Sequence, residues 1–199
     1  MNYAEIRKLD SANGPGIRVS LFVSGCEIKC PGCFNKELQD FNYGKPFTED
    51  TIEEILEYLK HPHVRGLTIL GGEPLSPSNI KTLISLVKKV KDRFPNKDIW
   101  CYTGYLLDDL YKLIKDIWYY TGYLLDDLYK LNSIETTLDA KYGTHLIVMI
   151  KYIDVLVDGP FIQELKHPGL QFRGSSNQRI IDMKQTIKQN KIIISDKYK

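Results

Sequence analysis

The sequence lacks several features that would each indicate a class of protein. Its net charge is only +2 over 199 residues, so its overall electrostatics give no reason to expect binding to nucleic acid or to a membrane surface. The longest wholly apolar run, Leu146 to Ile150, is far too short to cross a bilayer. The N-terminal residues contain no apolar signal core, and we therefore expect a cytoplasmic protein.

Cysteine is also scarce, but three of the four cysteines crowd into one short segment. Cys26, Cys30 and Cys33 lie in the sequence C-E-I-K-C-P-G-C, where the Pro-Gly pair predicts a loop. In a reducing cytoplasm, clustered cysteines more often bind metal or carry out chemistry than form disulfides. The fourth, Cys101, stands alone in a predicted strand, and we expect it to be a small core residue.

The number and spacing of these thiols limit the kind of site they can form. A structural zinc ion needs four ligands, and none of the histidines belongs to a second knuckle of the usual spacing. A redox C-x-x-C pair at Cys30 and Cys33 leaves Cys26 without a role. Three thiolates on one loop can bind three irons of a [4Fe–4S] cube and leave the fourth iron open to a small molecule. The motif therefore favours an iron–sulfur cluster.

Alternating strand and helix patterns predict an α/β fold around a parallel sheet. The predicted strands are Ile17–Val23, 66–70, 98–102 and 154–157. Helical spacing of apolar residues predicts helices over about 52–59 and 80–90, the first with Asp50 and Glu53 as a capping box. The polar segment 132–145 is predicted to be a surface connection, and the basic C-terminus to be a frayed tail.

One stretch of the chain is repeated almost unchanged. Residues 98–113 and 116–131 differ only at Cys101 and Tyr119, which indicates a tandem duplication of one strand–turn–helix unit. Solenoid repeats diverge and need several copies to stack, so we do not expect a solenoid. A parallel sheet has a place for one copy. We expect the first copy to keep it, because its upstream connection is undisturbed.

A second motif, G-G-E-P, follows the predicted strand 66–70. Together, C-x₃-C-x₂-C and G-G-E-P resemble the radical S-adenosylmethionine (SAM) superfamily. The resemblance implies that the three clustered cysteines bind a [4Fe–4S] cluster whose open iron binds SAM. It also implies that the second motif binds the methionine part of SAM, since glycines allow close backbone approach and a carboxylate attracts an ammonium group. The residues of this second motif are Gly71, Gly72, Glu73 and Pro74.

Further segments narrow the resemblance. N-G-P-G-I-R, Y-T-G-Y, V-D-G-P-F and F-R-G-S-S-N-Q-R resemble the anaerobic ribonucleotide reductase activating proteins. This resemblance implies a truncated (βα) partial TIM-like barrel, in a single domain over 1–199 with an atypical insert at about 114–149. It implies an oxidoreductase that cleaves SAM reductively and generates a glycyl radical. The implied partners are the catalytic subunit of anaerobic ribonucleoside-triphosphate reductase and an external one-electron reductant.

The resemblance also implies roles for other residues. Many superfamily members carry an aromatic residue just before the third cysteine, whereas this chain has Gly32 there and Phe34 just after it. Contacts from Gly32, Cys33 and Phe34 to adenine are then expected. Thr103 is expected to line the site, unless Thr121 of the second copy takes that place.

Asp158 and the segment 173–179 each have more than one interpretation. Asp158 is expected either to contact the ribose or methionine of SAM, or to cap the turn that follows it. Residues 173–179 are expected to close over adenine or to contact the partner, or else to form an ordinary polar loop before the strand-like R-I-I-D-M.

Two other functions stay open. The chain is also compatible with an activase of another glycyl-radical enzyme, of the pyruvate formate-lyase type. Alternatively, the duplication has disturbed strand register and left a cluster-binding protein without turnover.

Overall fold

The structure is a computed structural model that describes residues 1–113 and 138–198. In this part of the chain the strands are β1 (Asn2–Asp10), β2 (Ile17–Val23), β3 (Lys45–Pro46), β4 (Val64–Gly71), β5 (Asp98–Tyr102), β6 (Val155–Asp158) and β7 (Arg179–Asp182). The α-helices are α1 (Glu49–Leu59), α2 (Pro77–Arg93), α3 (107–113), α4 (Leu138–Tyr152) and α5 (Met183–Gln189). The α/β class predicted from the sequence is confirmed.

All of these strands belong to one sheet, in the order β3-β1-β2-β4-β5-β6-β7. The central strands β2, β4, β5 and β6 are parallel to one another, while β1 pairs antiparallel with β2 and β3, and β7 pairs antiparallel with β6. Val23 lies opposite Gly71, and Tyr102 lies opposite Val157. The carboxyl ends of the four parallel strands therefore meet at one edge of the sheet, which is where α/β proteins bind ligands.

The two faces of the sheet are packed differently, because successive side chains of a strand point to opposite faces. One face carries Leu21, Ile69 and Leu156, which join the main hydrophobic core with the helices. The other face carries a small cluster of Trp100, Val157 and Ile180.

Arg18 is fully buried on this second face. Its Nη2 pairs with Asp98 Oδ1 at 2.6 Å, and its Nε donates to Thr68 Oγ1 at 2.6 Å. A buried guanidinium needs such partners, because removal from water is costly for an unpaired charge. Arg18 thus links three neighbouring strands, β2, β4 and β5.

The first copy of the repeat forms β5. Cys101 lies opposite Ile69 of β4 and Leu156 of β6, and it is fully buried in the main core. Its expected role as a small core residue is confirmed. The second copy, 116–131, lies outside the described residues, as does most of the predicted insert.

The prediction that 132–145 is a surface connection was wrong for the part of this segment that the structure describes. Helix α4 begins at Leu138, and its Tyr142 hydroxyl donates to Leu75 O at 2.7 Å. The helix packs against the core through the buried side chains of Leu146, Met149 and Ile150. Tertiary packing therefore extends the helix through a segment whose polar composition favoured a loop.

Two smaller expectations were also wrong. The N-cap of α1 is Thr48, whose backbone N–H donates to Thr51 Oγ1 at 3.2 Å, so the helix starts before the predicted Asp50. The C-terminal segment pairs with β7: Ser195 N–H donates to Ile180 O at 2.7 Å. The pairing covers a sheet edge whose backbone groups would otherwise lack partners.

No helix within 1–113 or 138–198 combines the length and the apolar character that a membrane crossing requires.

Candidate functional site

A cavity of about 170 Å³ lies where the parallel strands end. Its walls come from the loops after β2 and β4, from the end of β5 and from the segments after β6 and before β7. Most residues that the sequence singled out line this cavity: Cys26, Cys30, Cys33, Phe34, Gly71, Gly72, Glu73 and Thr103. The two sequence motifs thus form one site.

The three clustered cysteines are half-buried and take part in no disulfide. Burial raises the pKa of the Cys26 thiol, and hydrogen bonds from the backbone of Lys29 and Ile28 offset only part of that rise. Within the described residues, no three His, Cys, Asp or Glu side chains are gathered closely enough to hold a single metal ion. In a [4Fe–4S] cube each thiolate binds a different iron, so its ligands are spread more widely. Three thiolates on one loop can each bind a different iron of such a cube.

The backbones of the two motif loops are in direct contact. Glu73 N–H donates to Gly25 O at 2.7 Å, and Gly72 N–H donates to Val23 O at 2.7 Å. A Cβ atom on Gly72 would lie 2.5 Å from Gly25 O, which no real side chain tolerates. Gly71 has φ +108°, a conformation that L side chains rarely adopt. Both glycines of G-G-E-P are therefore needed to bring the loops together.

Glu73 is almost completely buried at the wall of the cavity. Its Oε1 accepts from Leu75 N–H at 2.9 Å and from Thr103 Oγ1 at 2.7 Å, and its Oε2 accepts from Gly104 N–H at 2.8 Å. Burial nevertheless raises the pKa of Glu73 to about 7, because these hydrogen bonds only partly compensate for lost hydration. A cationic ligand beside this carboxylate would favour its charged form.

Three sequence-predicted residues lie beside the cavity rather than in its lining. Gly32 is exposed, with φ +69°, and a Cβ there would lie 2.7 Å from Gln163 Oε1. Pro74 is buried next to Glu73.

Asp158, the third of them, is fully buried at the end of β6. Its Oδ2 accepts from Leu107 N–H at 2.9 Å, and its Oδ1 accepts from Arg179 Nε at 2.9 Å. These contacts join the start of α3 to β6 and β7, so the carboxylate has a structural role that neither sequence interpretation included.

The segment 172–179 reaches the cavity through Gly174 and Gln178. Gln178 Nε2 donates to Gly159 O at 2.9 Å, and its Oε1 accepts from Gly174 N–H at 2.8 Å. The sequence pattern indicated the segment as a whole but gave no signal for this glutamine. Asn35 was also missed: it lines the cavity and donates from Nδ2 to Gly71 O at 3.3 Å.

The chain is similar to known iron–sulfur proteins. Residues 12–114 and 111–181 match the family described as "4Fe-4S single cluster domain". The anaerobic ribonucleoside-triphosphate reductase-activating protein of Escherichia coli K12 is 37% identical over 89% of this chain and 96% of its own length. The proteins of that name from Vibrio cholerae (38%, 90% and 97%) and from phage T4 (37%, 90% and 93%) are similarly related.

The fold, the cysteine-lined cavity and the family match define an α/β iron–sulfur protein. Within that class, the chain belongs to the family of anaerobic ribonucleoside-triphosphate reductase-activating proteins.

Proposed function

We propose that this protein is a radical SAM activase that generates a glycyl radical on anaerobic ribonucleoside-triphosphate reductase. In this proposal one domain over 1–199 forms a truncated (βα) partial barrel and works in the cytoplasm. A single observation carries the proposal: Cys26, Cys30 and Cys33 line the same cavity as Gly72 and Glu73. One side of the cavity thus offers thiolates for a cluster, and the other offers a carboxylate for an amino acid.

The residues present fit the two cofactors. The three cysteines would hold three irons of a [4Fe–4S] cluster and leave the fourth iron for the amino and carboxylate groups of SAM. When bound, this pair supplies a one-electron cleavage that leads to hydrogen abstraction from a glycine, with the electron coming from an external reductant. The protein's task is to bind and orient these two cofactors and to exclude water from the site.

Individual residues would then divide this task. Glu73 Oε2 accepts one hydrogen bond within the protein and keeps capacity for the SAM ammonium. The positions of Gly71 and Gly72 allow backbone to lie close to the methionine part. The segment from Gly32 to Phe34 would contact adenine.

The mouth of the cavity supports a protein substrate. Phe34 and Phe161 line it, and exposed apolar side chains continue in the segment after Phe161; such groups mark protein interaction sites when they cluster. Phe34 is 63% exposed and packs against Phe161 with 5.0 Å between ring centroids. Exposed Ile162 and Leu165 follow directly in the chain. A glycine suits this narrow site because it has no side chain.

The relatives' names support the ribonucleotide reductase as partner over an enzyme of the pyruvate formate-lyase type. The proposal is tested by anaerobic reconstitution with iron and sulfide, followed by addition of dithionite and SAM. We expect 5′-deoxyadenosine, and a glycyl signal in electron paramagnetic resonance once the reductase is present. An intact cluster that produces no 5′-deoxyadenosine contradicts the proposal.

The effect of the duplication is tested by comparing the full-length protein with a variant that lacks the second copy. β5 keeps its pairing with both β4 and β6, which supports a working site despite the second copy. Deleting 116–133 removes one repeat length. We expect equal activity in the full-length and deleted proteins. A sharp rise in activity on deletion would show that the second copy impairs the site.

A further inference from the structure

We infer that Thr103 is a positioning residue that acts on SAM through Glu73, and that it does not contact the ligand through its hydroxyl. This inference rests on the proposed function, and it assigns the task to the first copy of the repeat. The relevant contacts lie where the end of β5 meets the loop after β4.

The hydroxyl of Thr103 uses its one proton and one of its lone pairs within the protein. Its Oγ1 donates to Glu73 Oε1 at 2.7 Å and accepts from Tyr105 N–H at 3.2 Å. A hydroxyl has one proton to donate, and here that proton is directed to the carboxylate. Thr103 is only 4% exposed, and its own N–H donates to Val157 O at 2.9 Å. This backbone bond holds the Thr103 backbone beside the end of β6, and the two hydrogen bonds of Oγ1 hold the side chain.

The carboxylate of Glu73 is held unequally by its neighbours. Oε1 accepts two hydrogen bonds, from Leu75 N–H and from Thr103, whereas Oε2 accepts one, from Gly104 N–H. Oε2 is thus the oxygen with more free acceptor capacity for a ligand ammonium. Because Thr103 and Gly104 hold different oxygens, the two together fix the rotation of the carboxylate about its last bond.

Loss of the hydroxyl would loosen this arrangement without emptying the space that the side chain fills. Thr103→Val keeps the branched shape and removes one hydrogen bond to a buried carboxylate. Hydrogen bonds to charged groups contribute about 1.5–3 kcal/mol, which corresponds to a roughly 10- to 100-fold change in affinity. We expect weaker SAM binding by about that factor, and a larger effect on KM than on kcat.

The duplication supplies a matched control in the same molecule. Thr121 stands in the second copy at the position of Thr103, within an identical Thr-Gly-Tyr sequence. Thr121→Val is therefore the same chemical change in the same local sequence. If the first copy alone positions Glu73, this variant binds SAM like the wild type.

The experiment measures equilibrium SAM binding to the anaerobically reconstituted full-length protein, together with iron content and thermal unfolding temperature. The proteins compared are the wild type, Thr103→Val, Thr103→Ser and Thr121→Val. We expect weaker binding only for Thr103→Val, with iron content retained and binding restored by serine, which keeps the hydroxyl.

Equal SAM affinity of Thr103→Val and wild type would overturn the inference, and so would an equal loss in Thr121→Val. If Thr103→Val also loses its cluster, a serine variant that binds as weakly as the valine variant overturns it as well. Failure of the wild type itself to bind SAM would instead count against the proposed function.

Discussion

The buried side-chain amide of Asn79 donates to the backbone oxygen of Ser24 at 3.0 Å and to that of Glu73 at 3.0 Å. Ser24 precedes the first clustered cysteine, and Glu73 belongs to the G-G-E-P segment. One amide on the first turn of α2 therefore ties both loops of the site to the same helix. A buried carbonyl that loses its donor costs about 1–3 kcal/mol.

We therefore expect Asn79→Ala to lower the free energy of unfolding by about 1–3 kcal/mol, because Ser24 O loses its donor, whereas Glu73 O still accepts from Ser76 N–H at 3.2 Å. Denaturant unfolding of the cluster-free protein measures this. Ser78→Ala, an exposed position on the same turn, is the control and is expected to change stability little. Equal stability of Asn79→Ala and the control would contradict the structural role.

The cysteines are expected to separate into two classes. Replacing Cys26, Cys30 or Cys33 by serine should greatly reduce the iron and sulfide bound per chain after reconstitution, because each thiolate binds its own iron. Cys101→Ala should keep the cluster, since Cys101 is a core residue whose loss affects packing. Iron analysis and visible absorption measure the difference. Full iron content in any one of the three serine variants would remove that cysteine from the cluster.

The buried Glu73 predicts a pH dependence of stability. Its pKa rises from 4.5 to about 7 on folding, because burial disfavours the charged carboxylate. Between these values the folded protein binds the proton more tightly than the unfolded chain. Its contribution to stability is therefore fully present below pH 4.5 and is lost as the pH rises through about 7.

The change amounts to about 3 kcal/mol across that window. Glu73→Gln has no titrating group and should lack this part of the slope. Unfolding of the reduced, cluster-free proteins at several pH values between 4.5 and 7.5 measures it. Parallel pH profiles for the two proteins would show that Glu73 does not titrate in this range.

The single difference between the repeat copies predicts which copy the sheet accepts. Cys101 is fully buried between Ile69 and Leu156 on its neighbouring strands. Tyrosine there would overpack the core and cost about 1–3 kcal/mol. We expect Cys101→Tyr to be destabilised by that amount and Tyr119→Cys to be nearly neutral. Thermal or denaturant unfolding measures both, and an unaffected Cys101→Tyr protein would mean that another segment can supply β5.

The apolar mouth of the cavity predicts a separation of SAM cleavage from partner activation. Leu165→Glu should lower the glycyl radical yield on the reductase several-fold while SAM cleavage without the reductase stays unchanged. Ile187→Glu is the matched control, because Ile187 has similar exposure (46% against 40%) on α5. Equal glycyl radical yields in the two variants would exclude Leu165 from the partner surface.

The strands with clear apolar patterns could be predicted from the sequence. β2 and β5 have the predicted bounds, and the cysteine and G-G-E-P loops meet as expected. This succeeded because each motif follows a buried strand, and the carboxyl ends of parallel strands share one edge. Local sequence was sufficient to predict a feature when that feature depended on the strand directly before it in the chain.

Features that depend on distant partners could not be predicted. β1 is half-exposed and rich in charge, and its strand hydrogen bonds depend on its neighbours β2 and β3 rather than on an apolar pattern. The sequence predicted that Asp158 either contacts SAM or caps a turn, and its actual partners Arg179 and Leu107 could not be predicted because both are remote in sequence. The hydrogen bond from Thr103 to Glu73 could not be predicted for the same reason, because nothing in the sequence of either motif indicates it.

The absence of room for a Cβ between Gly72 and Gly25 has a consequence for engineering. The two loops cannot be exchanged independently, because each supplies the backbone surface on which the other rests. A cysteine loop transplanted alone into another α/β scaffold would need a facing backbone segment that has no side chain at the contact and approaches the loop equally closely. The portable unit is therefore the pair of strand ends β2 and β4 with both loops, together with the α2 turn that carries Asn79.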